Sequence, residues 1–116
     1  MAKIGDAERL AHMLDYAKTA VRISQNRNRS QLDSDEVYSL AIVRALEVVG
    51  EAASRVSPEC QANSTSIPWS SIVGLRHRIV HGYDILDRDL IWKIVTEDLE
   101  PLIKALEMLA QPLNNP

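Results

Sequence analysis

One segment restricts the fold more than any other: 37-VYSLAIVRALEVVGEAASRV-56. Its apolar residues recur with a helical period and cover more than one face. A helix that is apolar around most of its circumference must be covered on several sides. It is therefore the centre of a bundle, or it faces a second chain. One polar line is left, at Arg44, Glu47, Glu51 and Arg55, spaced i, i+3, i+7, i+11. The start is expected near 33-DSDE-36, where Asp33 and Glu36 resemble a capping box with Asp in the Ser/Thr position. Pro58 ends it.

The remaining segments supply partners for that helix. Residues 6 to about 25 carry Leu10, Met13, Leu14, Ala17, Val21 and Ser24 at helical spacing, with Asp6 and Glu8 at the positive end of the helix dipole. The polar 25-QNRNRSQ-31 reads as a loop, and 58-PECQANSTSIP-68 as a linker. Pro68 suits the first position of a third helix, 68-PWSSIVGLRHRIV-80, with Trp69, Ile72, Val73 and Val80 as its core face and Gly82 as its stop. A last helix of about 20 residues carries Ile91, Ile94, Val95, Leu99, Leu102, Ile103 and Leu106. Pro101 is expected to kink or split it, and the tail 111-QPLNNP-116 to fray.

The expectation is one all-α domain over residues 1–116, an up-and-down bundle of four to five helices with its core at about 7–109. Composition agrees. With no Phe, two Trp and three Tyr among 116 residues, aliphatic side chains must build the core, and four glycines are too few for a turn-rich β domain. Cys60 stands alone, so no internal disulfide framework is available, and a reducing cytoplasm is expected. No apolar run approaches the ~20 residues of a membrane span. The net charge of −3 excludes a globally basic polyanion binder. Contact with nucleic acid would need a local basic surface, for which Arg22, Arg27, Arg29 and Arg78 are the candidates. A solvated loop explains them as well.

Chemistry concentrates in 76-RHRIVHGY-83. Arg76 offers a permanently charged fork of donors that fits phosphate oxygens. His81 can move a proton near neutral pH. A cation and an acid/base suffice for cleavage of RNA without a metal, since the 2′-OH is the nucleophile. His12, His77, His81 and Cys60 form no recognised metal-ligand spacing, and there is no phosphate-binding glycine loop. On a regular helix, positions five apart lie ~140° apart. Arg76 and His81 then share no face, although His77 and His81 do. Either the helix unwinds at 81–82, or a second copy completes the site. Cations gathered at a helix C-terminus for stability alone remain the rival explanation.

The block R-H-R-I-V-H-G-Y resembles the R-x-x-x-x-H-x-Y signature of HepT-like toxins, a branch of the HEPN superfamily, and His77 fits the polar position after the arginine. The segments 43-VRALEVVGEAASRVSPE-59, 67-IPWSSIVGLRHRIVHGY-83 and 91-IWKIVTEDLEPLIKAL-106 resemble that family's second helix, motif entry and last helix, in order. The resemblance implies a homodimeric, metal-independent endoribonuclease, the toxin of a two-gene toxin–antitoxin module, with Arg76 stabilising the transition state and His81 as acid/base. It implies no cofactor for this chain. It also implies an MNT-type nucleotidyltransferase antitoxin, which uses ATP to AMPylate the motif tyrosine, here Tyr83. Glu51, on the polar line of the central helix, is a candidate to orient His81 or pair with Arg76, against a plain i,i+4 pair with Arg55. The alternative function is a non-catalytic helical dimer that docks a nucleotidyltransferase and binds nucleotide or RNA.

Overall fold

A computed structural model describes residues 5–83 and 85–114, with side chains as far as Leu109. The described residues form helices α1 (Asp6–Ile23), α2 (Gln31–Ser34), α3 (Glu36–Ser54), α4 (Pro58–Ala62), α5 (Trp69–Val73), α6 (Leu75–Ile79), α7 (Arg88–Lys93) and α8 (Leu99–Asn114), with a π turn (Ile94–Asp98) joining the last two. The all-α expectation holds. The long helices α1, α3 and α7–α8 make the bundle, and short helices wrap its side.

α3 is central, as its pattern requires. Tyr38, Ile42, Ala45, Leu46, Val49, Ala52 and Ala53 are buried along one broad stripe, which Ser39 and Gly50 widen. α1 packs along it through Met13, Ala17 and Ala20, all fully buried, where two alanines let the backbones approach closely. α8 covers α1 with Leu99, Leu102 and Leu106. Full burial of a side chain such as Ile42 or Leu106 contributes roughly 1.5–3 kcal/mol. The other side of α3 receives α5 and α6. There Gly50 is required: a Cβ on it would lie 2.9 Å from the Ile72 carbonyl oxygen.

Helix boundaries correct several expectations. The cap of α3 is Asp35, whose carboxylate accepts the Tyr38 amide at 3.0 Å. Asp33 lies outside, in α2, held by Arg29 and Arg88. The expected linker begins with a helical turn, α4, because Ser57 accepts the Cys60 amide and Pro58 occupies the first turn. Ser57 also donates to Asp6 through its amide and hydroxyl, at 2.9 and 2.7 Å, fastening α4 to the start of α1.

The third helix is two helices. The chain breaks at Gly74, which rotates the core face, so Leu75 and Ile79 are buried while Val73 is 40% exposed. Pro68 stands just ahead of α5 as its N-cap. Pro101 does not split the last helix, since α8 starts two residues before it and runs through it. A proline ring conflicts with the carbonyl four residues back, here Glu97. That residue falls within the π turn, where the hydrogen-bond register changes. α8 is helical to Asn114, and residues 115–116 lie outside the described residues. Among the described residues no helix is long and apolar enough to cross a membrane.

Candidate active site

α6 holds only Leu75–Ile79, anchored by buried Leu75 and Ile79, so Arg76, His77 and Arg78 project from a single turn. Val80 is already extended (φ −116°, ψ 117°) and bridges antiparallel to Leu86. The His81 amide donates to the Ile85 carbonyl at 2.7 Å and the Asp87 amide to the Ile79 carbonyl at 2.9 Å. These bonds bring Leu86 and Asp87 back beside Ile79 and Val80. Gly82 turns the chain with φ +92°, in the left-handed region that favours glycine. Helical geometry therefore ends before His81, one residue earlier than the first of the two expected solutions, and the i,i+5 objection does not apply.

Arg76 stands on a ridge between two clefts. Its Nε donates to Glu47 Oε2 at 3.1 Å, and Glu47 lines both clefts with it. The Arg76 side chain is 65% exposed against 23% for Glu47, so water screens the pair and its stability contribution is small. Nη1 and Nη2 make no hydrogen bond among the described residues. The larger cleft, about 610 Å³, lies between α2, α3 and Val80 and Leu86, and Tyr83 and Arg88 line it with Arg76. The smaller, about 370 Å³, lies toward His77 and Glu51.

His81 is exposed, and its Nε2 lies 2.9 Å from the Arg78 carbonyl. A carbonyl only accepts, so in that bond Nε2–H is the donor. His81 does not line the clefts that hold Arg76. The structure brings Arg76 and Tyr83 to one cleft and sets His81 beside it. Tyr83 is fully exposed, at 102%.

Glu51 does not reach Arg76 or His81. It accepts from Arg55 at 2.9 and 3.1 Å, the plain i,i+4 pair. Its place beside Arg76 is taken by Glu47, one turn earlier on the same polar line. That line was the available signal. Choosing between its two acids depends on where α6 crosses α3. The four candidate RNA-contact arginines do not gather either. Arg27 pairs with Asp35 at 2.8 Å and stacks 4.5 Å over the Tyr38 ring. Arg29 is held between Asp33 and Asp89. Arg78 donates to the Ser71 carbonyl and lines a separate apolar cavity of about 400 Å³ beside the π turn. Arg22 is exposed at the end of α1. None of the four lines the clefts beside Arg76.

Cys60 is unsuited to nucleophilic chemistry, because burial, and then the Asp6 charge, push its thiol up from the ordinary value. Trp69 is buried, with its indole N–H on the Ser64 carbonyl at 3.0 Å, so it is core. Among the described residues no group of three or more His, Cys, Asp or Glu is placed to hold a metal ion.

Fold and site together define a small helical protein that presents an arginine, a histidine and a tyrosine at a helix end and the loop after it. The family described as Ribonuclease HepT-like matches residues 13–109. The chain belongs to that family. It is 29% identical over 100 residues to "Putative RNase MJ1380" of Methanocaldococcus jannaschii, covering 86% of this chain and 92% of that protein. It is 32% identical over 75 residues to "Probable ribonuclease HepT" of Thermococcus cleftensis, covering 65% of this chain and 68% of that protein. No solved structure matches.

Proposed function

We propose that this chain is a metal-independent endoribonuclease, the toxin of a toxin–antitoxin pair. The observation that carries this reading is Arg76, exposed on a cleft with both terminal guanidinium nitrogens uncommitted among the described residues, next to a histidine outside regular helix. In the proposed reaction the RNA 2′-oxygen attacks the adjacent phosphorus, the O2′–P bond forms and the P–O5′ bond breaks. The products are a 2′,3′-cyclic phosphate and a 5′-hydroxyl. Arg76 stabilises the charge that develops on the phosphate oxygens, and His81 carries the proton. His77 faces the smaller cleft and supports the RNA backbone there.

The working unit is a homodimer. Val37 and Leu40 are 78% and 64% exposed on α3, and Ile85 is 66% exposed in the loop, an apolar surface that a second copy would cover. Tyr83 is the target of the antitoxin, an MNT-type nucleotidyltransferase. Its hydroxyl oxygen attacks the α-phosphate of ATP, pyrophosphate leaves, and AMP remains on the ring. Full exposure of Tyr83 suits modification by another enzyme. AMP would bring negative charge and bulk to the cleft that Arg76 lines.

The rival reading, a dimer that docks a nucleotidyltransferase and binds nucleotide or RNA without cutting, is favoured by one observation: His81 does not share the clefts of Arg76 within one chain. RNA incubated with the purified protein in EDTA separates the two. Cleavage is expected from the parent and lost from Arg76→Ala and His81→Ala, and intact RNA with the parent would sink the enzyme reading. Co-expression with the neighbouring nucleotidyltransferase is expected to add AMP mass to the parent and not to Tyr83→Phe.

A further inference from the structure

The larger cleft holds polar groups that neither Arg76 nor Tyr83 explains. Ser39 lines it at only 6% exposure, and its hydroxyl makes no hydrogen bond among the described residues. A helical serine or threonine commonly bonds back to a carbonyl of the preceding turn. Thr96 does so to Trp92 and Ser54 to Glu51. Among the described residues no buried side-chain oxygen lacks a partner, so the Ser39 hydroxyl opens onto the cleft, where it can bond to water or to a ligand that enters. Glu36 lies one turn before Ser39 on the same face of α3, lines the same cleft, and has no ion pair or hydrogen bond among the described residues. The other acids there are engaged, Glu47 by Arg76 and Asp33 by Arg29 and Arg88. Leu40, Val43, Val80 and Leu86 give the cleft apolar walls.

These groups describe a ligand: flat and apolar on its faces, with two adjacent N–H donors for a carboxylate and an acceptor beside them for a hydroxyl. We propose that the cleft is a guanine pocket. The N1–H and N2–H of guanine meet the two oxygens of Glu36, and O6 accepts from Ser39. Adenine and cytosine set a ring-nitrogen lone pair beside their amino group, which a carboxylate repels. Uracil has one N–H flanked by two carbonyls. The phosphate of the same nucleotide reaches Arg76 at the rim. Leu40 belongs both to the pocket wall and to the apolar surface given to the second copy, so the partner would border the pocket. That the guanine belongs to RNA rests on the ribonuclease reading; the pocket itself does not.

The test titrates the full chain with GMP, IMP, AMP, CMP and UMP by calorimetry, then maps cleavage of single-stranded RNA with one guanosine per strand. GMP is expected to bind about 10- to 100-fold more tightly than AMP, CMP or UMP, the discrimination of one bidentate contact. IMP, which lacks the N2 amine, falls between. Glu36→Gln and Ser39→Ala, both checked for an unchanged helical spectrum, are expected to reduce the preference, and cleavage is expected beside the guanosine. Equal binding of the nucleotides, no binding, or a preference unmoved in Glu36→Gln overturns the pocket. Guanine-selective binding by a chain that cuts no RNA supports the pocket and overturns the ribonuclease reading. Cleavage without base preference, together with equal nucleotide binding, does the reverse.

Discussion

Glu47 holds Arg76 across 29 positions of sequence, with 3.1 Å between carboxylate oxygen and guanidinium nitrogen, and so connects the central helix to the motif turn. The bond uses only Nε. Glu47 thus aims the guanidinium while the terminal nitrogens stay available. It also keeps a negative charge beside any incoming phosphate. Glu47→Gln is expected to lower kcat for RNA cleavage about tenfold, the effect of a side chain that is slightly mis-set. KM should not rise, because a repulsive charge is gone. Stability should change by no more than about 1 kcal/mol, as for other exposed pairs. Glu51→Gln is the control and should leave kcat unchanged, since Glu51 serves Arg55. Steady-state kinetics on one RNA decides, and an unaltered kcat in Glu47→Gln removes its positioning role.

Gly50 sets how closely α5 and α6 approach the central helix. In an isolated helix, Gly→Ala gains about 1 kcal/mol. Here the new Cβ meets the Ile72 carbonyl oxygen at 2.9 Å and the Leu75 Cβ at 3.5 Å. Backbone must shift, and overpacking costs about 1–3 kcal/mol. Gly50→Ala is expected to lower stability in urea denaturation and, by displacing α6, to disturb the Glu47–Arg76 pair. A stabilised variant would contradict so close an approach.

Gly82 is a different case. A Cβ there meets nothing within 4 Å, so only the backbone objects, at φ +92°. Gly82→Ala is expected to cost about 1 kcal/mol from the left-handed conformation. The loss should be local, seen as faster hydrogen exchange at the His81 and Asp87 amides, whose bonds close the loop. Unchanged exchange at both amides would contradict it.

Asp35 gives the bundle an acid-sensitive cap. The Arg27 hydrogen bond, then the Tyr38 amide, hold its carboxyl below the ordinary Asp value. A depressed folded-state value means that its stabilisation is present above the unfolded value and fades as pH falls through the folded one. Asp35→Asn should therefore denature more readily than the parent near neutral pH, and the two midpoints should converge in acid. Midpoints that stay equally far apart down to strongly acid pH would rule this linkage out.

The sequence made the periodic parts legible and the tertiary choices illegible. The α1 and α3 stripes fixed those helices to within a few residues, because burial and period coincide there. Asp33, with Glu36 three residues on, is the stronger local capping signal, and arginines hold both carboxylates; what distinguishes Asp35 is its extended backbone and the Tyr38 amide bonded to its side chain. The break at Gly74 was hidden, since Trp69 to Val80 read as one amphipathic run until α3 pressed on it at Gly50. The motif stood out because arginine, histidine and tyrosine crowd into eight positions. Glu47 did not, because a carboxylate on a charged stripe looks like its neighbour until the opposing turn is known. Arg27 and Arg29 looked like a basic surface because their acidic partners, Asp35 and Asp89, lie 8 and 60 positions away.

The π turn has a consequence for length variation in this chain. A π turn accommodates one residue more than α-helical winding between the same ends. Deleting a single residue within Ile94–Asp98 would let α7 and α8 wind as one α-helix with both ends kept in place. Arg88, which donates to the Leu32 carbonyl at 3.2 Å and lines the cleft of Arg76, would keep its seat. The stretch from 94 to 98 thus acts as a buffer that can give up a residue while the cleft wall stays aligned.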